Sequence, residues 1–170
     1  LTAATKNFYS IKGDSIKKET GKVFTLLSSI QETNYADILT AAENIVAGKS
    51  EGVLLTDGEY YEPTVAKSHV NDPYLKDVFS KWLKKGHDIY IVAEPYKEAY
   101  NGNVFDKKRF YFLFTDSRVP NNIYDRILQC VDMKKYPNVD IYHMSVSHPI
   151  IMAEGTYSKT DATLAANIKG

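Results

Sequence analysis

The sequence predicts an α/β protein: a doubly wound, mostly parallel but mixed sheet with helices on both faces. Three observations predict it. Short apolar runs alternate with segments of helical periodicity along most of the chain. The run Val53-Leu54-Leu55 ends abruptly in Thr56-Asp57-Gly58, which is how a buried parallel strand reads when it delivers a carboxylate to the carboxyl edge of a sheet. Asn101-Gly102, set between two aromatic runs, signals a hairpin and makes the sheet mixed.

Each element has its own local reason. Phe8 to Ile11 reads as a strand closed by the turn residues Gly13-Asp14-Ser15. Ile16 to Ile30 carries Val23, Phe24, Leu27 and Ile30 at helical spacing, so a helix is expected there despite Gly21. Asn34 starts the next helix, with Asp37 three residues on as a partial capping box. Its stripe is Ile38, Leu39, Ala42, Ile45 and Val46, and Gly48 stops it. After the strand from Val53 to Thr56 comes a polar, aromatic loop from Glu59 to Val70. Asn71-Asp72-Pro73 opens the clearest helix, because proline at the first turn gives up only an N–H that has no partner anyway. Leu75, Val78, Phe79, Trp82 and Leu83 share one of its faces, and Gly86 ends it after Lys84-Lys85.

Ile89 to Ala93 is a strand, and Tyr96 to Tyr100 and Phe110 to Phe114 flank the Asn-Gly turn. Asn121-Asn122 caps a helix holding Ile123, Ile127, Leu128 and Val131, and Val139 to Val146 is the last clear strand. Ile150 to Met152 has an edge-strand pattern and Ala162 to Ile168 that of a short helix, both ambiguous. With no repeat, low-complexity tract or linker, residues 1–170 form a single domain in which 150–170 is a C-terminal extension.

Composition narrows the function classes. Lys plus Arg equals Asp plus Glu at 21 each, so the chain lacks the basic excess that non-specific binding to nucleic acid or acidic membranes requires. Cys130 is the single cysteine, which rules out an internal disulfide and a thiolate metal cluster. No apolar run approaches the roughly 18 residues of a membrane-spanning helix. No signal peptide is visible, and a start at Leu1 rather than Met leads us to expect processing or a missing leading segment.

Asp14, Asp57 and Asp116 each fall at or just past the carboxyl end of an expected strand, the edge where open α/β sheets bind ligands. Thr33 lies just before the Asn34 cap and would bring a hydroxyl to the same edge. Hydroxyl and carboxylate oxygens suit a hard cation such as Mg²⁺. Each also has a plain explanation: aspartate caps helices and builds turns, and Thr33 is the neighbour of a cap. His69, His87, His143 and His148 show no ligand spacing, and no nucleophile elbow, phosphate loop or dinucleotide fingerprint occurs. Strand-edge carboxylates without a base or nucleophile do not define a reaction, so the sequence leans away from an enzyme.

Thr33-Asn34-Tyr35-Ala36-Asp37-Ile38-Leu39 and Thr56-Asp57-Gly58, one helix apart, resemble two of the three loops of a von Willebrand factor A-type domain. The helix ending Trp82-Leu83-Lys84-Lys85-Gly86, followed by His87-Asp88-Ile89-Tyr90, is similar to that family's next α/β unit. The family's first loop, an Asp-x-Ser-x-Ser run, is missing from these 170 residues, so the strand carrying it is expected before Leu1. The resemblance implies a doubly wound sheet with a metal-ion-dependent adhesion site. It implies Thr33 and Asp57 as metal ligands and Asn34, Glu59, Tyr60 and Tyr61 on the ligand rim. It also implies Mg²⁺ or another divalent cation, a protein or peptide partner, and a lean towards a secreted or cell-envelope location.

Three functions follow as expectations. The first is a non-enzymatic binding module that engages a protein ligand through the cation. The second is a Mg²⁺-dependent phosphoester hydrolase using Asp14, Asp57 and Asp116. The third is a degenerate, metal-free scaffold that works through its surface. Ligand identity and oligomeric state are not legible from the sequence.

Overall fold

A computed structural model of the chain describes residues 7–12, 15–20, 37–48, 50–58, 74–146 and 151–152. In chain order the elements are β1 (Phe8–Lys12), β2 (Ser15–Glu19), α1 (Ile38–Ala47), β3 (Gly52–Thr56), α2 (Tyr74–Leu83), β4 (Asp88–Tyr100), β5 (Asn103–Thr115), α3 (Ile123–Cys130), β6 (Asp140–Met144) and β7 (Ile151–Met152). A single 3₁₀ turn, Met133–Lys135, precedes β6. β1 and β2 form a separate two-stranded hairpin, and the other five strands form one sheet in the order β3-β5-β4-β6-β7.

The hairpin β4–β5 organises that sheet. Asn101 at φ 49° and Gly102 at φ 76° both occupy the left-handed region that a two-residue hairpin turn demands, which is why this dipeptide signals a hairpin. From the turn the two strands stay in continuous antiparallel register, Tyr100 opposite Asn103 through to Asp88 opposite Thr115. β3 then adds antiparallel to β5, and β6 adds antiparallel to β4.

Every paired neighbour among the described strands is therefore antiparallel, and the doubly wound, mostly parallel sheet expected from the sequence is corrected. The reason lies in one insertion. β3 and β4 do run in the same direction and are joined through α2, as a crossover unit predicts. They are not neighbours, however, because β5 folds back from the Asn-Gly turn and enters between them. A short apolar run such as Val53-Leu54-Leu55 carries no information on which partner will flank it. With the sheet topology, the von Willebrand A-type architecture inferred from the two loops is overturned as well.

Two local expectations change too. Residues 16–19, expected to begin the helix Ile16 to Ile30, belong instead to strand β2, with Ile16 opposite Ile11; residues 21–30 of that expected helix lie outside the described residues. The cap of α1 is Asp37 rather than Asn34. Its carboxylate accepts the Thr40 N–H at 3.1 Å and the Thr40 hydroxyl at 2.7 Å, satisfying a first-turn donor that has no partner within the helix.

α1 and α2 pack on one face of the sheet, which we call the core face. Ile38, Ala41, Ala42 and Val46 of α1 and Val78, Phe79 and Trp82 of α2 meet Leu54, Ile89 and Phe114 of the strands. Trp82 locks the assembly: its ring meets Phe114 edge-on at 5.8 Å, and its indole N–H donates to the carbonyls of Asp88 at 3.0 Å and Thr115 at 3.2 Å. A buried Trp with its N–H satisfied contributes both area and direction. Side chains alternate along a strand, so Val53, Leu55, Tyr90, Val92, Tyr111 and Leu113 belong to the opposite face. Only the short helix α3 packs there among the described elements.

Candidate functional site

Asp57 sits directly after β3, with Thr56 opposite Phe110. Its surroundings are those of a turn: the Gly58 N–H donates to the Thr56 hydroxyl at 3.1 Å, and Gly58 takes φ 75°. Of the other residues assigned to a cation or its rim, Thr33, Asn34, Glu59, Tyr60 and Tyr61 lie outside the described residues, as does Asp14. Asp116 follows β5 at the other end of the sheet. Phe110 and Asp116 are six positions apart along the chain of β5, about 20 Å at the rise of a strand. Asp57 and Asp116 therefore do not converge, as three carboxylates sharing one metal must. A parallel sheet would have brought both to one edge, and the antiparallel pairing of β3 with β5 sends them apart. Among the described residues no three His, Cys, Asp or Glu side chains come together as a metal site.

The end of the sheet around Asp116 holds the densest polar network. Asp116 accepts the Arg118 guanidinium at 2.9 and 3.0 Å and the Arg118 backbone N–H at 3.0 Å. These bonds from Arg118 hold the carboxyl well below the usual carboxylate range, against a smaller opposing effect of burial. The Nδ1 atom of the buried His87 approaches Asp116 at 3.1 Å without hydrogen-bond alignment, and its ring packs on Trp82 at 4.5 Å. Ser117 donates its hydroxyl to the Gly86 carbonyl.

Glu51, just ahead of β3, binds this end together. It accepts the N–H groups of Asp116 and Ile123 and the Arg126 guanidinium, each at 3.1 Å. Beside it Tyr90 is sandwiched between Tyr124 at 3.7 Å and His143 at 4.2 Å, and His143 Nε2 lies 3.3 Å from Asp88. Burial, with the Asp88 carboxylate close by, pushes the Tyr90 phenol up to about 12. Most of these groups are hydrogen-bonded or stacked within the fold, while the buried His87 Nδ1 and His143 Nε2 have no hydrogen-bond partner. The network fastens α3 and its leading loop to the sheet, and it presents neither a nucleophile paired to a base nor a cluster of donors around a vacant centre.

The other distinctive feature is an arm. The last β3 pair is Thr56–Phe110 and the last β6 pair is Ala93–Asp140. Beyond those points seven residues of each hairpin strand, Glu94 to Tyr100 and Asn103 to Arg109, run on without a third strand among the described residues. That is about 24 Å of two-stranded ribbon. An isolated ribbon is marginal in water, and this one is stapled on both faces. Lys97 pairs with Asp106 on one face. On the other, Lys107 meets Glu98 at 2.7 Å, Arg109 meets Glu94 at 3.6 Å and lies over the Tyr96 ring at 5.0 Å, and the Tyr111 hydroxyl donates to Glu94 at 2.7 Å.

Single exposed pairs contribute about 0–1 kcal/mol each, but here several share partners, so fewer side chains are ordered per contact. The tip, Ala99 to Phe105, carries no charge. Tyr100 and Val104 are each 66% exposed and Phe105 is 46% exposed. Tyr100 and Phe105 stand on the open-face side of the sheet, where Val53 and Leu55 are each 42% exposed, next to half-buried Val92, Tyr111 and Ile141.

Compared with known proteins, the chain matches no family model, no curated protein and no solved structure. No helix among the described residues is long and apolar enough to cross a membrane. Sequence reasoning missed both Glu51 and the arm. Nothing local distinguishes Glu51 from a solvated acid. The arm did leave a trace in the alternating charges Glu94, Lys97 and Glu98 opposite Asp106, Lys107 and Arg109 around Asn-Gly. Charges placed directly across a ribbon are cross-strand partners.

Proposed function

We propose that this chain is a non-enzymatic interaction module that engages a protein ligand through the tip of its β4–β5 arm and the adjoining open face of the sheet. The observation that carries the reading is the contrast along the arm: a shaft stapled by cross-strand ion pairs and a tip that is uncharged, aromatic and exposed. Aromatic side chains on a stiff support lose little entropy when bound and are enriched where proteins recognise one another. A ligand offering an apolar cleft lined by hydrogen-bond acceptors fits Phe105 and the Tyr100 hydroxyl, which share the open-face side of the arm.

The test compares the chain with a double variant, Tyr100→Ser with Phe105→Ser, as baits under identical conditions in extracts of the organism of origin, with quantitative mass spectrometry. Both residues are exposed, so the variant keeps its fold, which circular dichroism checks. A protein enriched by the parent chain, lost with the variant, and binding the purified parent chain directly supports the reading. If the two baits retain the same proteins, the arm is not the contact surface.

A further inference from the structure

The tip of the arm carries a reactive group as well as a surface. Asn101-Gly102 is the single Asn-Gly step in the chain. Both residues are exposed, and both stand at positive φ, 49° and 76°. A Cβ on Gly102 would meet nothing within 4 Å, and glycine brings no side chain of its own to shield its peptide nitrogen. The hydrogen bond from the Asn103 amide, long at 3.5 Å, goes to the main-chain carbonyl of Asn101 and leaves its side-chain carbonyl carbon open to attack.

We infer that Asn101 is a site of spontaneous deamidation, by which the arm acquires a carboxylate and an altered turn without any enzyme. The Gly102 peptide nitrogen gives its proton to solvent and bonds to the Asn101 side-chain carbonyl carbon. The carbon–Nδ2 bond breaks, and the amide leaves as ammonia. Water then opens the five-membered imide. Cleavage at the side-chain carbonyl gives aspartate, and cleavage at the main-chain carbonyl gives isoaspartate. In sum an amide and a water become a carboxylic acid and ammonia, with no change of oxidation state. Ring closure turns the Gly102 nitrogen towards the side chain, a rotation that the closed turn resists, so the reaction runs while the tip is frayed. A two-stranded ribbon beyond its last third-strand partner frays at little cost.

The rest of the fold supplies the contrast. Asn44, Asn103, Asn122 and Asn138 precede Ile45, Val104, Ile123 and Val139, whose branched side chains crowd the attacking nitrogen. Asp57-Gly58 repeats the glycine conformation at φ 75°, but its Gly58 N–H is held by the Thr56 hydroxyl at 3.1 Å. Its carboxylate is also a poorer electrophile than an amide. The consequences at the tip are specific. Ala99 to Phe105 carries no charge, so the product places a carboxylate beside exposed Tyr100, Val104 and Phe105 that any apolar contact must desolvate. Isoaspartate also adds one backbone carbon between Tyr100 and Asn103, which a two-residue turn cannot absorb in register.

The experiment ages the purified chain for days in warm, mildly alkaline heavy-oxygen water, then maps its peptides by mass spectrometry with fragmentation that separates aspartate from isoaspartate. Asn101 should convert many-fold faster than Asn44, Asn103, Asn122 or Asn138, with one heavy oxygen in each product and isoaspartate present. Asp57 should stay unisomerised over the same period. The same chain aged in urea should convert faster at Asn101, since the turn no longer resists closure. Amides of residues 99–105 should exchange with deuterium several-fold faster in the isoaspartate fraction than in fresh parent. A fresh Asn101→Asp variant, which has the charge without the extra carbon, should exchange at the parent rate. Conversion at Asn101 no faster than at the other asparagines would overturn the proposal. So would an isoaspartate fraction whose tip amides exchange at the parent rate. No ligand enters these readouts, so their failure leaves the ligand reading of the arm where it was.

Discussion

Tyr90 and Tyr124 lie face to face, their ring centroids 3.7 Å apart and their planes 8° from parallel. This stack is the aromatic contact that seats α3 on the sheet, and it is stiffened from the far side by His143. α3 contains no fully buried residue, so its attachment depends on a few specific contacts rather than on area. Replacing Tyr124 by Leu keeps apolar bulk and removes the stack. The expected loss is about 1 kcal/mol beyond the change in buried area, read as a lower urea midpoint at unchanged slope. An unchanged midpoint would mean that α3 is held by its cap and by Glu51 alone.

Tyr90 also sets an alkaline limit. Its phenol is pushed up to about 12 in the folded protein, first by burial and then by Asp88, whereas an exposed tyrosine titrates near 10. A group that holds its proton more tightly when folded contributes stability that is complete below the unfolded value and disappears as pH rises through the folded one. Stability should therefore fall between about pH 10 and 12. Tyr90→Phe should flatten that fall. If phenolate absorbance and unfolding of Tyr90→Phe follow the same alkaline curve as the parent, Tyr90 is not the group responsible.

Glu51 joins the start of β3 to the Asp116–Arg126 segment, 65 to 75 residues further along the chain, and its side chain is only 14% exposed. Glu51→Ala strips the acceptor from two backbone N–H groups and one guanidinium, at an expected cost of about 2–3 kcal/mol. Glu51→Gln keeps an oxygen that accepts from both N–H groups and should cost less. Chemical denaturation of the two variants checks the ranking, and equal losses would show that the ion pair with Arg126 carries the whole effect.

The acid limit has the opposite sign. Arg118 holds the Asp116 carboxyl below its ordinary range, so this contribution is present above the unfolded value, near 3.8, and is lost as pH falls through the folded value. Arg118 is 69% exposed, which makes the contribution small and open to screening by salt. Arg118→Ala should move acid unfolding to slightly higher pH in low salt, and the difference should shrink in high salt. A difference that survives high salt would point to lost packing rather than lost charge.

Local structure was largely legible in the sequence. Gly48 ends α1, the Asn-Gly turn makes the hairpin, and Asn122 caps α3 with the reciprocal bond from Asp125, because caps and turns are decided within a few residues of chain. Partnership was not. Val53-Leu54-Leu55 was read as a central buried strand. In the fold Leu54 alone of the three is buried, on the core face, while Val53 and Leu55 alternate onto the opposite face and are exposed. The antiparallel pairing of β3 with β5 also sent Asp57 and Asp116 to opposite ends of the sheet. The arm was half visible: its turn was found, but its length depends on where β3 and β6 stop, which the hairpin's own sequence does not encode.

Gly58 and Gly102 offer a matched comparison, because both take positive φ, 75° and 76°, and differ only in what surrounds them. A side chain at Gly102 would meet nothing within 4 Å, while a Cβ at Gly58 would come within 2.6 Å of the Phe110 ring. Gly102→Ala therefore carries only the backbone cost of the left-handed region, about 1–2 kcal/mol. Gly58→Ala adds displacement of an aromatic ring at the root of the arm, where Phe110 is the last residue of β5 paired with β3, and overpacking of that kind costs about 1–3 kcal/mol more. The expected order of thermal stability is parent, then Gly102→Ala, then Gly58→Ala. Gly58→Ala with Phe110→Leu should recover part of the larger loss by making room for the new methyl group. Equal melting temperatures for the two single variants would mean that the turn after β3 moves away from Phe110 at no cost, and that Asp57 is held less firmly than its hydrogen-bonded turn indicates.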